Sequence, residues 1–190
     1  MKIATVALKS ASPYSQSRHY ASSPGCEKRE KETSSEYDAR LWREHQHYDA
    51  QTGIIYIPCM ALKMAIQEAA QYLGERVPGK GKATWTKHFL AGIGIYESPT
   101  LGIHKDNTEC ETFMCDSMGK KGGSSRVPRT FPVVRNWSAQ ATFYVLDDAI
   151  TEKAFTYHLE QAGKFIGIGR FRPRNGGFYG RFSVESVTWS

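Results

Sequence analysis

The segment GIIYIPCMALKMAIQEAAQYLG, residues 53–74, constrains the fold more than any other part of the sequence. Ile54 to Ile57 predict a short strand, and Pro58 suits the first turn of a helix, where an amide hydrogen would have no partner. One face then carries apolar residues at helical spacing: Leu62, Ile66, Ala69 and Leu73. Gly74 is of the residue type that most often ends a helix. The chain therefore passes from a strand directly into an amphipathic helix.

Four further strands and a second helix are predicted along the chain. Alternating apolar residues indicate strands in KIATVALKS, FLAGIGIYES, SAQATFYVLDD and FYGRFSVESVTW. TEKAFTYHLEQAG predicts an amphipathic helix with Thr151 as its N-cap and Gly163 at its end. The main elements then run strand, helix, strand, strand, helix, strand, which is the βαββαβ order of a ferredoxin-like domain. The predicted class is α+β.

Two regions lie outside this pattern. Residues from about 10 to 47 are rich in serine, proline and charge, and predict a long exposed loop. Residues from about 99 to 136 have little periodicity, and we interpret them as an insertion or arm. A chain of 190 residues with this composition predicts one domain, residues 1–190. No apolar run is long enough to span a membrane and no signal peptide is recognised, so a cytoplasmic protein is expected.

Positive charge is concentrated in the C-terminal half of the chain. The net charge is +6, and two stretches, 119–146 and 163–183, each contain five basic residues and no acidic one. Such placement is typical of a protein that binds a phosphate backbone, although a solvated basic face would have the same composition. Binding to a nucleic acid is therefore the favoured hypothesis.

The segment GKFIGIGRFRPRNGGFYGRF, residues 163–182, combines glycine, arginine and aromatic residues. It lacks the GxGxxG spacing of a dinucleotide site, and no P-loop motif occurs in the chain, so no cofactor is expected. Its composition instead predicts a hairpin that turns at Asn175–Gly177. Its arginines would bind phosphate and Phe171, Phe178 and Tyr179 could stack on bases, whereas Phe182 is expected in the core.

Catalytic and metal-binding signals are weak. The candidate catalytic residues are His19, in the loop after the first strand (residues 11–20, here called the first loop), and Asp38. A loop histidine and a loop aspartate usually have no such role. Cys110 and Cys115 with His104 do not complete the four ligands of a zinc site, so no metal is predicted.

Three segments together resemble the RAMP superfamily, the RRM-like proteins of CRISPR systems. In YDAQTGIIYIPCMALKMAIQEA a β-ribbon leads through Ile-Pro into a helix with an early lysine, KSASPYSQSRHY follows the first strand, and the glycine-rich segment follows the second helix. The likeness is greatest to the backbone subunits that polymerise along guide RNA. It implies an RRM-like βαββαβ core with an inserted basic thumb.

The resemblance also implies partners and contact residues. The partners would be single-stranded guide RNA, further copies of the chain in a helical filament, and other CRISPR-associated subunits of antiviral defence. Single-stranded DNA remains open as a ligand. The expected nucleic-acid contacts, from the resemblance and from charge, are Ser15, Gln16, Ser17, Arg18, Lys63, Lys120, Lys121, Arg126, Arg129, Arg135, Arg170, Arg172, Arg174, Phe178, Tyr179 and Arg181.

Two alternatives remain open on the sequence. The chain is short for a backbone subunit, and IPCMALK differs from the usual run of small residues before the lysine. A virus-encoded relative that coats single-stranded nucleic acid or imitates a CRISPR subunit would share these features. The second alternative is an endoribonuclease of the same superfamily.

Overall fold

The computed structural model describes residues 1–20, 23–116 and 125–190. Its strands are β1 Lys2–Ser10, β2 Tyr14–Ser15, β3 Ile54–Tyr56, β4 Ile93–Gly94, β5 Thr100–His104, β6 Glu109–Asp116, β7 Arg126–Val134, β8 Ser138–Val145 and β9 Phe182–Trp189. Its α-helices are α1 Ser34–Leu41, α2 Cys59–Leu73, α3 Thr86–Ala91 and α4 Glu152–Gln161. None of the helices among these residues is long and apolar enough to cross a membrane.

The central sheet has the strand order β4–β8–β1–β9, and every neighbouring pair is antiparallel. In the chain, α2 lies between β1 and β4, and α4 lies between β8 and β9. This arrangement is consistent with the ferredoxin-like βαββαβ order, and the α+β class is confirmed.

The core lies between this sheet and the helices α2 and α4. Alternate residues of β1 and β8 are buried, as the period of a strand with one covered face requires. The ring of Phe143 on β8 meets Phe155 on α4 at 5.2 Å between centroids. Helix α4 begins and helix α2 ends as predicted: Thr151 Oγ1 accepts the amide of Ala154, and Gly74 adopts the left-handed conformation that closes α2.

The prediction for FLAGIGIYES is wrong in its first half. Phe89 lies in α3, where its side chain is fully buried, and only Ile93–Gly94 pair with β8. A short apolar run has the same composition in a buried helix and in a buried strand, so periodicity does not distinguish them.

Residues 10–47, predicted as a loop, contain β2 and α1. A capping box opens α1: Thr33 Oγ1 accepts the amide of Glu36, and the Glu36 carboxylate accepts the amide of Thr33. The TSSE sequence matches this motif and could have predicted the helix.

Residues 99–136, interpreted as an insertion with little periodicity, contain three strands. Strands β6 and β7 form an antiparallel ladder from Glu109↔Val133 to Asp116↔Arg126, here called the thumb hairpin. Strand β2 pairs with β7, and β5 pairs with β3 in a separate two-stranded ribbon. The connection between β6 and β7, which includes Lys120 and Lys121, lies outside the described residues.

Candidate nucleic-acid interface

The Gly-rich loop, residues 167–181, folds back on itself but does not form the predicted β-hairpin. The amide of Gly177 donates to the carbonyl of Arg172 over 3.1 Å, and the amide of Tyr179 donates to that of Phe171 over 3.0 Å. A single 3₁₀ turn occupies the tip, and no regular strand precedes it. Before the loop, α4 continues through a π-helical turn beyond its predicted end.

The Gly-rich loop packs against β2. The amide of Arg170 donates to the carbonyl of Ser15 over 2.8 Å. Gly169 has φ +73°, and a Cβ at this position would collide with the Ser15 carbonyl oxygen and the ring of Tyr14. Only glycine allows this approach. The Gly-rich loop and the first loop, which the sequence predicted to act together, are therefore neighbours.

A cleft of about 230 Å³ opens where the first loop, the thumb hairpin and the Gly-rich loop meet. Here it is called the Arg170 cleft. Its lining residues are Ser17, His45, Cys115, Asp116, Arg129, Phe131 and Arg170. Three of them, Ser17, Arg129 and Arg170, are among the predicted contact residues.

The guanidinium of Arg170 is held in place without a carboxylate partner. Its carbon lies 3.5 Å from the ring centroid of Phe131 and 4.7 Å from that of Phe171. Its hydrogen-bond partners are weak, Ser17 Oγ at 3.4 Å and Cys115 Sγ at 3.7 Å, and its Nε is buried without a partner. No Asp or Glu among residues 1–20, 23–116 and 125–190 lies within ion-pair distance of it. Burial lowers the pKa of this guanidinium.

A half-buried cation without a counter-ion has lost part of its hydration without gaining an ion pair. Stacking on Phe131 fixes the plane of the Arg170 guanidinium, so that its donors form a rigid fork. This geometry suits an oxyanion. Arg170, the cation without a carboxylate partner, is therefore the residue of the cleft that we expect to bind an anion.

His45 is a residue of the cleft that the sequence did not single out. Its Nδ1 lies 3.3 Å from the carbonyl oxygen of Arg18, which fixes Nδ1 as the donor and leaves Nε2 as an acceptor. The rings of Tyr20 and Phe131 lie 4.7 and 5.0 Å from its own centroid. Burial lowers the pKa of His45, so the neutral ring is the form present at pH 7.

Arg129 reaches the cleft while bound to Asp38. Its Nη1 donates to Asp38 Oδ2 over 2.6 Å, and Asp38 is only 5% exposed. This pair joins α1 to β7, so a structural role accounts for Asp38, which was a candidate catalytic residue. Arg18 lies over the ring of Tyr48 at 5.2 Å.

The two arginines at the tip of the Gly-rich loop are neutralised by α2. Arg172 Nη1 lies 3.0 Å from one carboxylate oxygen of Glu68, and Arg174 Nε lies 3.3 Å from the other. Glu68 is a functional neighbour that the sequence could not identify, because nothing in the helix pattern says which loop will cover it.

Two predicted contacts on the thumb hairpin also have acidic partners. Arg135 binds Glu109 at 2.7 Å and Glu111 at 2.8 Å. Arg126 lies 3.7 Å from Asp116, and most of its side chain is exposed. Exposed pairs of this kind contribute little to stability, so these arginines remain able to exchange partners.

Lys63 is tied to its neighbours on α2 and α3. Its Nζ donates to Gln67 Oε1 on α2 and to the carbonyl of Leu90 in the last turn of α3. Burial lowers the pKa of this amine. These bonds account for two of its three hydrogens, so the predicted phosphate contact rests on the remaining one.

Two predicted contacts in the first loop point inward. Ser15 is fully buried. The side chain of Gln16 donates to Tyr14 Oη and to the carbonyl of Tyr56, and accepts the amide of His47. Gln16 therefore fastens the loop to the chain before α2, whereas Ser17, the next residue, is exposed.

The three aromatic residues of the Gly-rich loop differ in exposure: Phe171 is half-buried, Phe178 is exposed and Tyr179 is buried. Phe178 is 59% exposed, whereas Tyr179 is buried and donates its hydroxyl to Glu111 at 2.5 Å. Burial and this bond raise the pKa of Tyr179 to about 12. Arg181, without an acidic partner among the described residues, donates to the carbonyls of Lys164 and Phe178. Tyr179 thus anchors the loop, and Phe178 is the ring left for stacking.

Other aromatic and histidine side chains complete the surface. Tyr72 and Phe165, which the sequence did not identify, are 56% and 47% exposed, and their rings lie 5.9 Å apart. Arg174 lies over Tyr72 at 5.7 Å.

His19, the other candidate catalytic residue, is exposed and does not line the cleft. In the three described ranges, no three His, Cys, Asp or Glu residues group closely enough to hold a metal ion.

Two solved structures resemble this one. In the cryo-EM structure of the Type III-B Cmr-beta bound to cognate target RNA, the match covers 99% of this chain and 60% of the other, with 10% identity and a TM-score of 0.57. The crystal structure of Cmr6 from Pyrococcus furiosus matches over 97% of this chain and 99% of the other, with 15% identity and a TM-score of 0.51.

This chain shares the fold of these two structures, as the resemblance to RAMP proteins implied. At these identities the likeness is one of fold, and the chain spans 60% of the length of the first neighbour. No family model and no curated protein matches the sequence. The α+β class, predicted from the order of strands and helices, is confirmed, and the resemblance drawn from three short segments is confirmed at the level of the fold.

Proposed function

We propose that this chain is a RAMP-type subunit that binds single-stranded guide RNA inside a CRISPR effector complex, with further copies repeating along the RNA. The observation that carries the proposal is the guanidinium of Arg170, stacked and without a counter-ion in the Arg170 cleft. The fold supports it, because one structural neighbour belongs to an assembly solved with bound target RNA.

Arg170 would bind a phosphate of the RNA backbone. A guanidinium offers forked donors that match the oxygens of a phosphate, and the anion would supply the charge that the protein withholds. Arg129, though paired with Asp38, lines the same cleft and strengthens the local positive potential. Backbone contact of this kind positions the RNA without reading its sequence.

Exposed aromatic rings beside the Gly-rich loop would hold the bases. Phe178, Tyr72 and Phe165 are each about half exposed or more, and the rings of Tyr72 and Phe165 lie side by side, 5.9 Å apart. Stacking on such rings is tolerant of base identity. Together with the phosphate contact, this describes a subunit that grips single-stranded RNA whatever its sequence.

The test compares two arginines of the same loop. Arg170→Met removes the unpaired cation, and Arg172→Met removes one that Glu68 neutralises. Binding of a labelled 30-nucleotide RNA, followed by fluorescence anisotropy, should weaken about tenfold or more for Arg170→Met, since hydrogen bonds to charged groups contribute about 1.5–3 kcal/mol. Arg172→Met should stay within about threefold of the wild type, as weak surface pairs do.

The salt dependence of RNA affinity and the mass of the RNA complex test the proposal independently of the arginine variants. Affinity should fall steeply as salt is raised, because phosphate contacts release counter-ions. Size-exclusion chromatography with RNA of increasing length should give a mass that grows by whole subunits. A wild-type protein that binds neither RNA nor DNA, or equal loss in the two arginine variants, would contradict the proposal.

A further inference from the structure

The Arg170 cleft contains a hydrogen-bond acceptor, His45 Nε2, that has no donor among the described residues. His45 uses Nδ1 to donate to the carbonyl of Arg18, and its ring is held between Tyr20 and Phe131. Its Nε2 has no hydrogen bond to the described part of the chain. The neutral ring therefore presents a lone pair at a fixed place in the cleft wall.

The cleft thus joins a cation without an anion to an acceptor without a donor. Arg170 has a buried Nε without a hydrogen-bond partner and suits an oxyanion. His45 Nε2, in the same cleft, can accept a hydrogen bond from a hydroxyl or amino group beside that anion. The volume, about 230 Å³, is below the 300–1,000 Å³ typical of sites for drug-sized ligands. A single sugar–phosphate unit has about this volume and carries both an oxyanion and a hydroxyl group. A whole nucleotide with its base would extend beyond the cleft.

We propose that the Arg170 cleft selects RNA over DNA, with His45 Nε2 accepting a hydrogen bond from the ribose 2′-hydroxyl next to the phosphate that Arg170 binds. The 2′-hydroxyl is the group by which a protein distinguishes the two nucleic acids at one site. DNA lacks this donor, so binding it would leave His45 Nε2 desolvated and unbonded. The inference rests on the proposed function and adds a specificity residue to it.

The other acceptors of the cleft, Ser17, Cys115 and Asp116, already contact an arginine, whereas His45 Nε2 contacts none in the described part of the chain. Ser17 Oγ already accepts from Arg170, and Asp116 lies next to Arg126 at 3.7 Å. Asp116 is an acid near the expected phosphate, so its pairing with Arg126 is needed for an anion to bind. The thiol of Cys115 is a weak acceptor directed to Arg170.

The experiment uses 15-nucleotide oligouridine in three forms: ribo, 2′-deoxy and 2′-fluoro. The wild type should bind the ribo form about tenfold more tightly than the deoxy form. His45→Phe should bring this ratio close to one and leave deoxy affinity within about twofold. His47→Phe, at a half-buried histidine outside the cleft, is the matched control and should keep the wild-type ratio.

The 2′-fluoro form separates hydroxyl donation from sugar shape, and it needs no variant. It favours the ribose-like pucker but cannot donate, so it should bind wild type like the deoxy form. If it binds like the ribo form, or if the wild type binds ribo and deoxy equally, the inference is overturned while RNA binding survives. If no form binds the wild type, the proposed function itself fails.

Discussion

At the scale of single residues, the side chains around an arginine decide whether it is available to bind an anion. Arg170 and Arg172 are two positions apart in a run that reads as uniformly basic. One stacks on Phe131 without an acid, and the other is bound to Glu68 from α2. Both partners are distant in sequence, so composition could locate the basic surface and could not say which cation is available.

The glycines of the Gly-rich loop also differ in their reasons. Gly169 and Gly176 both have positive φ, but a Cβ would collide with Ser15 and Tyr14 only at Gly169. Gly169→Ala should therefore lower the free energy of unfolding by more than Gly176→Ala, which pays the backbone strain of about 1 kcal/mol alone. Urea unfolding of the two variants measures the difference. Equal losses would mean that the loop shifts away from β2 without cost.

At the scale of elements, the parts with strong local patterns were predictable. Helix α2 and helix α4 have apolar stripes and end signals, and the predicted limits agree with the structure to within a few residues. Strand β6 has no buried residue, and the buried residues of β7, Phe131 to Val134, are consecutive, so neither strand alternates between buried and exposed positions along its length. The thumb hairpin was therefore seen only as an insertion.

The same limit applies to the site. Both loops were identified from the sequence as carrying expected nucleic-acid contacts, because the resemblance places one after the first strand and the other after the second helix. The Arg170 cleft could not be predicted, since it needs His45, Phe131 and Cys115 from three further segments. Their side chains come together only when the thumb hairpin folds over the first loop.

The thumb hairpin is fastened to α1 by the ion pair of Arg129 and Asp38. Arg129→Met leaves the Asp38 carboxylate buried without its partner, and should lower the free energy of unfolding by about 1–3 kcal/mol. The loss is below that of a fully buried pair because the Arg129 side chain is 35% exposed. A double-mutant cycle with Asp38→Asn, measured by urea unfolding, isolates the pair. A coupling energy near zero would show that the hairpin is held by its other contacts.

At the scale of the whole molecule, acidic side chains mask much of the positive charge. Arg126, Arg129, Arg135, Arg172 and Arg174 all have carboxylates within ion-pair distance. The net charge of +6 remains and would steer a polyanion toward the molecule. Among the predicted contact residues that the structure describes, Arg18, Lys63, Arg170 and Arg181 have no ion pair, and the guanidinium of Arg170 is stacked 3.5 Å from the ring centroid of Phe131.

Buried histidines should make the stability of the whole molecule depend on pH. Burial lowers the pKa of His45, His47 and His158 in the folded state, whereas each titrates near 6.5 when unfolded. Below about pH 6.5 the unfolded chain therefore binds more protons, so stability is greatest above this pH and falls as the pH is lowered. Thermal midpoints at pH 7.5, 6.5 and 5.5 measure the loss.

This window keeps the carboxylates out of the comparison. Asp147, whose pKa is lowered by the hydrogen bond that His88 donates at 2.6 Å, stays ionised throughout it. His158→Gln should reduce the loss between pH 7.5 and 5.5, because one buried histidine no longer titrates. His19→Gln, at an exposed position, should leave the profile unchanged. A profile that is flat in the wild type, or altered equally by both variants, would mean that burial of these rings does not set the acid sensitivity of the fold.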